Sequence, residues 1–182
     1  VGRPIGEVFE ERIAAPIGMQ DFRPADVYYL TDHQSSHRQY HFRMTARDVA
    51  RFGELMRKQG AWEGKTVIPA EWVAESTKSY SDTGRGYGYG YLWWIARDGM
   101  LYPGVDLPEG TYAAFGAVGK RLTIIPERGL VIAHIQLREW PDNAAVLPES
   151  ELPGPEDSTS ADQLGELIQL IFEAQLRLEE HT

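Results

Sequence analysis

Apolar residues recur at helical spacing in three stretches of the first half of the chain, and each stretch predicts an amphipathic helix. The first stretch runs from Ile5 to Ala14. The second follows Thr45, which forms a T-x-x-D capping signature with Asp48, and Gly60 is a plausible C-terminal cap. The third begins at Pro69, a residue that suits the first position of a helix.

The spacing changes from helical to strand-like in the second half of the chain. Four segments rich in aromatic and β-branched residues predict strands: Tyr87–Ile95, Thr111–Phe115, Lys120–Ile125 and Leu130–Leu137. The turn-forming residues 126–129 join the last two, so these two strands should form an antiparallel hairpin.

The end of the chain combines a loop with a strongly apolar helix. Residues 141–160 are rich in proline and acidic side chains, which predicts a long exposed loop. Ser160 and Gln163 form a second capping box, and the helix that follows has a broad apolar face. Such a face is stable only when it is covered by another layer, so we expect this helix to pack on the sheet.

These elements predict the α+β class: helices, then an antiparallel sheet of three to four strands, then a C-terminal helix packed on it. We expect one incomplete domain over residues 1–182. It comprises helical residues 1–86, strands in 87–140, the acidic loop and a helix over 161–182. The terminal helix calls for a larger sheet than these strands supply, and the chain starts at Val1 rather than methionine. We therefore expect an N-terminal portion of the same domain to precede it.

Composition excludes several classes of function. The net charge is -9, and a negative field of this size disfavours nucleic acid as a partner. No apolar run approaches the roughly 18 residues of a membrane span. The chain has no cysteine, so thiolate nucleophiles, disulfides and zinc–thiolate sites are excluded, while the cellular compartment stays open.

The histidines offer one candidate metal site. His33, His37 and His41 are spaced four residues apart and would share one face of a helix. Their polar neighbours favour a loop, so we predict exposed imidazoles and no metal ion. His134 lies within an apolar strand segment and is interpreted as a hydrogen-bonded core histidine.

The most informative stretch reads YAAFGAVGKRLTIIPERGLVIAH, from Tyr112 to His134. A strand ends in small residues, and a glycine-containing break follows it. Small residues let a substrate approach the backbone, and a free N–H at a strand edge can stabilise an oxyanion. A tight β-turn without such a role explains the same residues, and the residues alone leave both interpretations open.

Five segments, in order, resemble class C β-lactamases and the related serine hydrolases. They are IGEVFEERIAAPIGMQDF, FRMTARDVARFGELM, GKTVIPAEWV, GYGYLWWI and GKRLTIIPERGLVIAH. The resemblance implies a β-lactamase/transpeptidase-like fold and an acyl-enzyme mechanism without a metal ion or organic cofactor. The implied substrate is a small-molecule ester, linear amide or β-lactam.

The resemblance transfers few catalytic residues onto this chain. The family's S-x-x-K and Y-x-N motifs do not occur in the 182 residues, so the isolated chain is expected to be inactive. The family's K-T-G or H-x-G strand corresponds to Ala114, Phe115 and Gly116, which are therefore the candidate substrate-binding residues. The same alignment makes the backbone N–H of Ala117 a candidate oxyanion donor. Because the first position lacks a cation, the alignment favours an esterase or an amidase of the 6-aminohexanoate-oligomer hydrolase kind over a β-lactamase.

Two other functions remain open at this stage. A relative of these hydrolases that has lost its chemistry could serve in binding or sensing. An unrelated α+β binding module would explain the composition and elements without any catalytic role.

Overall fold

The computed structural model describes residues 2–30, 39–116, 119–136 and 159–180. The helices within these ranges are α1 (Ile5–Phe9), α2 (Ala46–Arg57), α3 (Ala70–Ser76) and α4 (Ala161–Glu179). A π-helical turn at Glu10–Ala14 continues α1, and 3₁₀ turns lie at Pro24–Asp26 and Pro126–Arg128.

Strands β5 to β10 form one antiparallel sheet, in the order β10-β9-β8-β7-β6-β5. They are β5 (Ser81–Asp82), β6 (Gly88–Tyr89), β7 (Trp94–Ile95), β8 (Tyr112–Phe115), β9 (Arg121–Ile125) and β10 (Leu130–His134). Two separate hairpins pair β1 (Val27–Leu30) with β2 (Gln39–Phe42), and β3 (Ala61–Trp62) with β4 (Lys65–Thr66). The predicted α+β arrangement is confirmed.

The sheet has six strands in the described residues, where the sequence pattern predicts three or four. One cause is a tight reversal inside the predicted strand Tyr87–Ile95. The N–H of Gly90 donates to the carbonyl of Trp93 at 2.8 Å, and Leu92 has a φ of 66°. A leucine with positive φ is uncommon, so residue type gave no signal for this turn. The other additional strand is the two-residue β5.

Successive side chains of each strand point to opposite faces of the sheet. The α2 helix packs on one of these faces, and α4 packs on the other. In β9, Leu122 and Ile124 join the cluster that includes Met56 of α2. Ile125 joins the cluster formed with α4 and the segment 101–107. The α4 helix packs on the sheet, as expected, through Leu164, Ile168 and Phe172, which join that cluster. The rest of its apolar surface is not covered in the described residues, because four of its leucines are exposed: Leu167, Leu170, Leu176 and Leu178.

The α2 helix approaches the sheet closely at Gly53. A Cβ built on Gly53 would lie 2.5 Å from Cγ1 of Val131 and 2.7 Å from Cδ1 of Leu122. A side chain at this position would force the helix away from β9 and β10. The glycine therefore sets the distance between this helix and the two strands.

The two predicted capping signatures have different outcomes. Ser160 and Gln163 form the complete box at the start of α4. Thr45 caps α2 by accepting from the N–H of Asp48, but the Asp48 carboxylate does not return to Thr45. It accepts hydrogen bonds instead from the backbone of residues 20–22.

Parts of several predicted elements fall outside the described residues. Of the predicted loop 141–160, residues 141–158 are outside them. The predicted strand Leu130–Leu137 is observed over Leu130–His134, and Leu137 is not described. The division of residues 1–182 into one incomplete domain stays a prediction.

Candidate functional site

The end of β8 extends past its neighbour β7. Pairing between them stops at Trp94↔Ala113, whereas pairing with β9 continues to Phe115↔Arg121. Burial decreases in step: Ala113 is fully buried, Ala114 and Phe115 are half-buried, and Gly116 is exposed. The three candidate residues Ala114, Phe115 and Gly116 are called the site edge below.

Hydrogen-bond alternation gives the direction of each N–H along the site edge. The N–H of Gly116 donates to the carbonyl of Lys120 at 2.9 Å, toward β9. On the side of β8 that faces β7, the N–H of Ala96, just after β7, donates to the carbonyl of Thr111, just before β8. Because successive N–H groups of a strand point to opposite sides, the N–H of Phe115 points to the side where β7 has ended. A strand with N–H groups directed to an open side is the geometry that an oxyanion hole requires.

Phe115 joins a row of aromatic rings on the α4 face of the sheet. Its ring stacks on Trp94 with centroids 5.4 Å apart and lies 5.6 Å from the ring of Tyr102. Trp94 in turn meets Tyr89 edge to face at 4.6 Å. A groove of about 370 Å³ is lined by Ser81, Thr83, Arg85, Tyr89 and Trp94. Aromatic side chains therefore cover the α4 face of the sheet next to the site edge.

Ala114 points to the opposite face. It packs against the cluster that contains Met56, Val73 and Trp93. At Ala114, where the resemblance led us to expect lysine or histidine, the chain therefore contributes only a methyl group, on an apolar surface. The structure thus provides no cation at this position.

Two side chains hold the carbonyl groups that flank residues 117 and 118. Nη1 of Arg121 donates to the carbonyl of Gly116 at 2.9 Å and to that of Lys120 at 2.8 Å, and its guanidinium lies 4.5 Å from the centre of the Phe115 ring. Nδ1 of His134 lies 2.9 Å from the carbonyl of Gly119. A carbonyl can only accept, so Nδ1 donates there. Ala117 itself lies outside the described residues.

His134 is a half-buried histidine with both nitrogens partnered. Its Nε2 lies 3.2 Å from the hydroxyl of Thr159, next to the start of α4. The prediction of a hydrogen-bonded histidine agrees with this geometry. The ring connects the turn after β8 with the start of α4.

The buried tyrosines beside the site edge are neutral phenols at neutral pH. Burial raises the pKa of Tyr102 to about 12, and its hydroxyl lies 2.7 Å from that of Thr123. Burial also raises the pKa of Tyr112 well above its usual range. A phenol with a raised pKa is almost entirely protonated at neutral pH, so neither tyrosine supplies a phenolate for proton abstraction.

Sequence reasoning missed the contributions of Arg121 and Asp48. The role of Arg121 depends on its register opposite Phe115 and on the return of the chain after Gly116. Asp48 is fully buried, and its carboxylate accepts from the N–H groups of Gln20, Asp21 and Phe22 at 3.0, 2.9 and 2.9 Å. Its sequence signal was the T-x-x-D signature, which indicated a helix cap only.

The described residues contain no group of side chains arranged to hold a metal ion. His33 and His37 lie outside them. The prediction of an exposed imidazole in a loop is wrong for His41, which is half-buried on β2 and stacks on Tyr28 with ring centroids 5.1 Å apart. None of the helices in the described ranges is both long and apolar enough to span a bilayer.

Comparison with protein families gives a match to the Beta-lactamase family model over residues 2–144. The chain belongs to the beta-lactamase family. The matched residues include the site edge and strands β5 to β10, and the match ends before α4.

One solved structure in this fold is the "Putative 6-aminohexanoate-dimer hydrolase from Bacillus anthracis". It is 28% identical to this chain with a TM-score of 0.51, over 74% of this chain and 33% of that structure. The chain therefore spans about a third of the length of this beta-lactamase-like structure. No curated protein matches the chain.

Proposed function

We propose that the chain is the C-terminal part of a serine hydrolase that cleaves an ester or a linear amide through an acyl-enzyme. The observation that supports this most strongly is the site edge. A beta-lactamase-family strand runs past its neighbour, and the N–H of Phe115 points to the open side. The similarity to a structure titled as a 6-aminohexanoate-dimer hydrolase supports the choice of a linear amide.

In this proposal, the nucleophile is a serine of an S-x-x-K motif outside these 182 residues. Its oxygen attacks the substrate carbonyl, and negative charge develops on the carbonyl oxygen. That oxygen accepts hydrogen bonds from the serine's own N–H and from the N–H of Ala117, at the end of β8. The lysine and a tyrosine transfer protons while the leaving group departs, and water then hydrolyses the acyl-enzyme.

The side chains around the site edge support a substrate without a carboxylate next to the reacting carbonyl. Ala114 offers no cation to bind such a group, which disfavours β-lactams. Trp94, Tyr89 and Phe115 present apolar surface beside the strand end. An extended aliphatic acyl chain would bury its surface against these rings, and each buried methylene contributes roughly 0.8 kcal/mol.

The test compares the complete gene product with this 182-residue chain. Substrates are p-nitrophenyl butyrate, a linear 6-aminohexanoate dimer and a chromogenic cephalosporin, and the control variant replaces the S-x-x-K serine with alanine. We expect the complete protein to cleave the ester or the linear amide faster than the cephalosporin. Turnover should be lost in the serine variant and be absent for the chain alone. Serine-dependent turnover by the 182 residues themselves would refute the proposal.

A non-catalytic binding or sensing protein is the second candidate. The observation that favours it is the absence of S-x-x-K and Y-x-N motifs from these residues. The same experiment separates the two functions. A complete protein that also lacks an S-x-x-K serine, and turns over none of the three substrates, would be a binding protein.

A further inference from the structure

The groove of about 370 Å³ on the α4 face of the sheet contains an arginine without a carboxylate partner. Of the five described residues that line this groove, Arg85 alone is charged. Its guanidinium is exposed, and within the described part of the chain no ion pair or hydrogen bond holds it. The net charge of the chain is -9, so acidic side chains outnumber the cations that could pair with them. An arginine that none of them engages is available for a ligand.

The backbone around Arg85 is held in a tight turn. Gly84 and Gly86, on either side, both have a positive φ, of 69° and 86°. The hydroxyl of Thr83 accepts from the N–H of Arg85 at 3.3 Å and donates to the carbonyl of Tyr87 at 2.6 Å. These contacts fix the backbone of Arg85 beside the groove and leave its guanidinium unpaired.

Asp82, the nearest acidic residue in the sequence, is engaged by other groups. Its carboxylate accepts from the N–H of Gly84 at 2.8 Å and lies 3.6 Å from Nη1 of Arg97. Asp82 also directly follows Ser81 on β5, so its side chain points to the face of the sheet opposite the groove. The charge presented to a ligand in the groove is therefore that of Arg85.

Strand register connects the groove with the site edge. Ser81 lies opposite Tyr89, and Tyr89 lies opposite Trp94, so these three side chains share the α4 face. The ring of Trp94 stacks on that of Phe115, with centroids 5.4 Å apart. A continuous row of side chains therefore runs from β8 across β7 and β6 to β5, and Arg85 follows β5 in the chain.

The width of this row sets the length of chain that fits it. Three strand spacings of about 4.8 Å separate β8 from β5, which gives about 14 Å. An extended chain advances about 1.2 Å per bond, so about 12 bonds cover the full distance, and about 7 suffice when the arginine side chain reaches inward. Aliphatic groups would bury their surface against the rings. A terminal carboxylate would accept two parallel hydrogen bonds from the guanidinium.

We propose that Arg85 is a specificity-determining residue that binds a carboxylate at the far end of the substrate's acyl chain. The rings of Phe115, Trp94 and Tyr89 bind the methylene groups in between. The inference rests on the proposed serine hydrolase function and names its substrate class: an ester or linear amide whose acyl chain ends in a carboxylate about 7 to 12 bonds from the reacting carbonyl. A carboxylate next to that carbonyl stays disfavoured, because Ala114 supplies no cation there.

The kinetic test compares two esters that differ only at the far end of the acyl chain. One is the mono-p-nitrophenyl ester of octanedioic acid, and the other carries a carboxamide in place of the free carboxylate. In the complete hydrolase we expect KM to be about 3- to 10-fold lower for the carboxylate ester, because solvent screens an exposed ion pair. The kcat values should agree within about twofold, since this contact is the same in the ground state and the transition state.

Three variants identify the residue that causes this preference. Arg85→Gln should abolish it, and Arg85→Lys should keep part of it, because lysine retains the charge without the planar donor pair. Arg128→Gln is the control, since it removes the same charge at the turn before β10, on the opposite edge of the sheet from β5. Equal KM values for the two esters in wild type, a preference that persists in Arg85→Gln, or an equal loss in Arg128→Gln would overturn the proposal.

A binding measurement gives a second readout that does not depend on turnover. The mono(methylamide) of octanedioic acid carries one carboxylate, and the bis(methylamide) is its neutral counterpart. Calorimetric titration uses the complete protein with alanine at the S-x-x-K serine, or the wild-type protein if it has no such serine. We expect the dissociation constant to be about 3- to 10-fold lower for the carboxylate ligand, and this difference to be lost in Arg85→Gln only.

The two readouts separate this inference from the proposed function. If the wild-type protein shows no serine-dependent turnover, the proposed function fails, and the titration still decides whether Arg85 binds a carboxylate. If turnover is present but the two ligands bind equally well, or neither binds, the proposed function stands and the role of Arg85 is refuted.

Discussion

At the scale of single residues, Asp48 ties together two segments that are far apart in the chain. Its buried carboxylate accepts three backbone hydrogen bonds from residues 20–22, and Arg51 lies 4.0 Å from it. Next to it, Asp21 accepts a bidentate pair from Arg47, which lowers the pKa of Asp21. These contacts attach the segment after α1 to the start of α2.

Replacing Asp48 with asparagine should destabilise the fold by about 3 kcal/mol, because a charged acceptor for three N–H groups becomes a neutral amide. Urea unfolding of the variant measures this loss. The control is Asp162→Asn, an exposed residue in the first turn of α4, which should change stability by about 1 kcal/mol or less. A similar small change in Asp48→Asn would mean that the three hydrogen bonds contribute little.

Replacing Ala117 with proline removes the N–H that the proposed mechanism uses. We expect kcat of the complete hydrolase to fall by roughly 10²–10³-fold. Ala117→Gly keeps the N–H and should stay within a few-fold of wild type. Thermal melts of both variants show whether the proline has disturbed the fold, and equal kcat values in two folded variants would remove Ala117 from the mechanism.

Sequence reasoning located the site edge, but not the side chains that support it. Glycine and small residues after a strand signal are local features, so Ala114 to Gly116 could be placed at a strand end. Arg121 acts through cross-strand register, and register depends on the path of residues 116–120. Nothing in the local pattern reports that path, and Arg121 therefore appeared as an ordinary strand residue.

At the scale of elements, α4 depends on a glycine for its contact with the segment 101–107. Gly165 is buried, and a Cβ built on it would collide with the backbone carbonyl of Pro103. Glycine usually weakens a helix, so its presence in α4 reflects close packing.

Gly165→Ala should destabilise the protein by about 1–3 kcal/mol, although the same change stabilises an unconstrained helix. Glu166→Ala, on the exposed neighbouring position, is the control and should be close to neutral. The free energy of unfolding of each variant can be measured in urea. A stabilised Gly165→Ala variant would show that α4 does not pack on Pro103.

Tyr102 in the same segment should make the fold sensitive to alkaline pH. An unfolded tyrosine loses its proton near pH 10, whereas burial raises the pKa of Tyr102 to about 12. The protonated Tyr102 therefore makes its full contribution to the free energy of unfolding below pH 10. This contribution decreases by about 2–3 kcal/mol as the pH rises from 10 toward 12. Unfolding curves between pH 9 and 11.5 should show a smaller decrease in Tyr102→Phe, and identical slopes would contradict this role.

Helix positions were predicted well from sequence, whereas strand number was not. Capping residues and a 3.6-residue period are local, and they located α2, α3 and α4 within a few residues. The reversal at Gly90–Leu92 requires a leucine with positive φ, so a single predicted strand became β6 and β7. Directly after this turn, Trp93 and Trp94 pack on opposite faces of the sheet.

At the scale of the whole molecule, the chain contains a beta-lactamase-family sheet, and the strand proposed to line the oxyanion hole belongs to it. The proposed nucleophile lies outside these residues. The similar hydrolase structure is about three times as long as the part that the chain covers. The proposed function assigns the S-x-x-K serine to another part of the same protein, because these residues do not contain the motif.

The most direct test is the intact mass of the protein after reaction with a fluorophosphonate, a reagent that bonds covalently to activated serines. We expect the complete gene product to gain one phosphonyl group on the serine of an S-x-x-K motif, and the 182-residue chain to gain none. Labelling of a serine within these 182 residues, or a complete product that has the motif yet stays unlabelled, would contradict it.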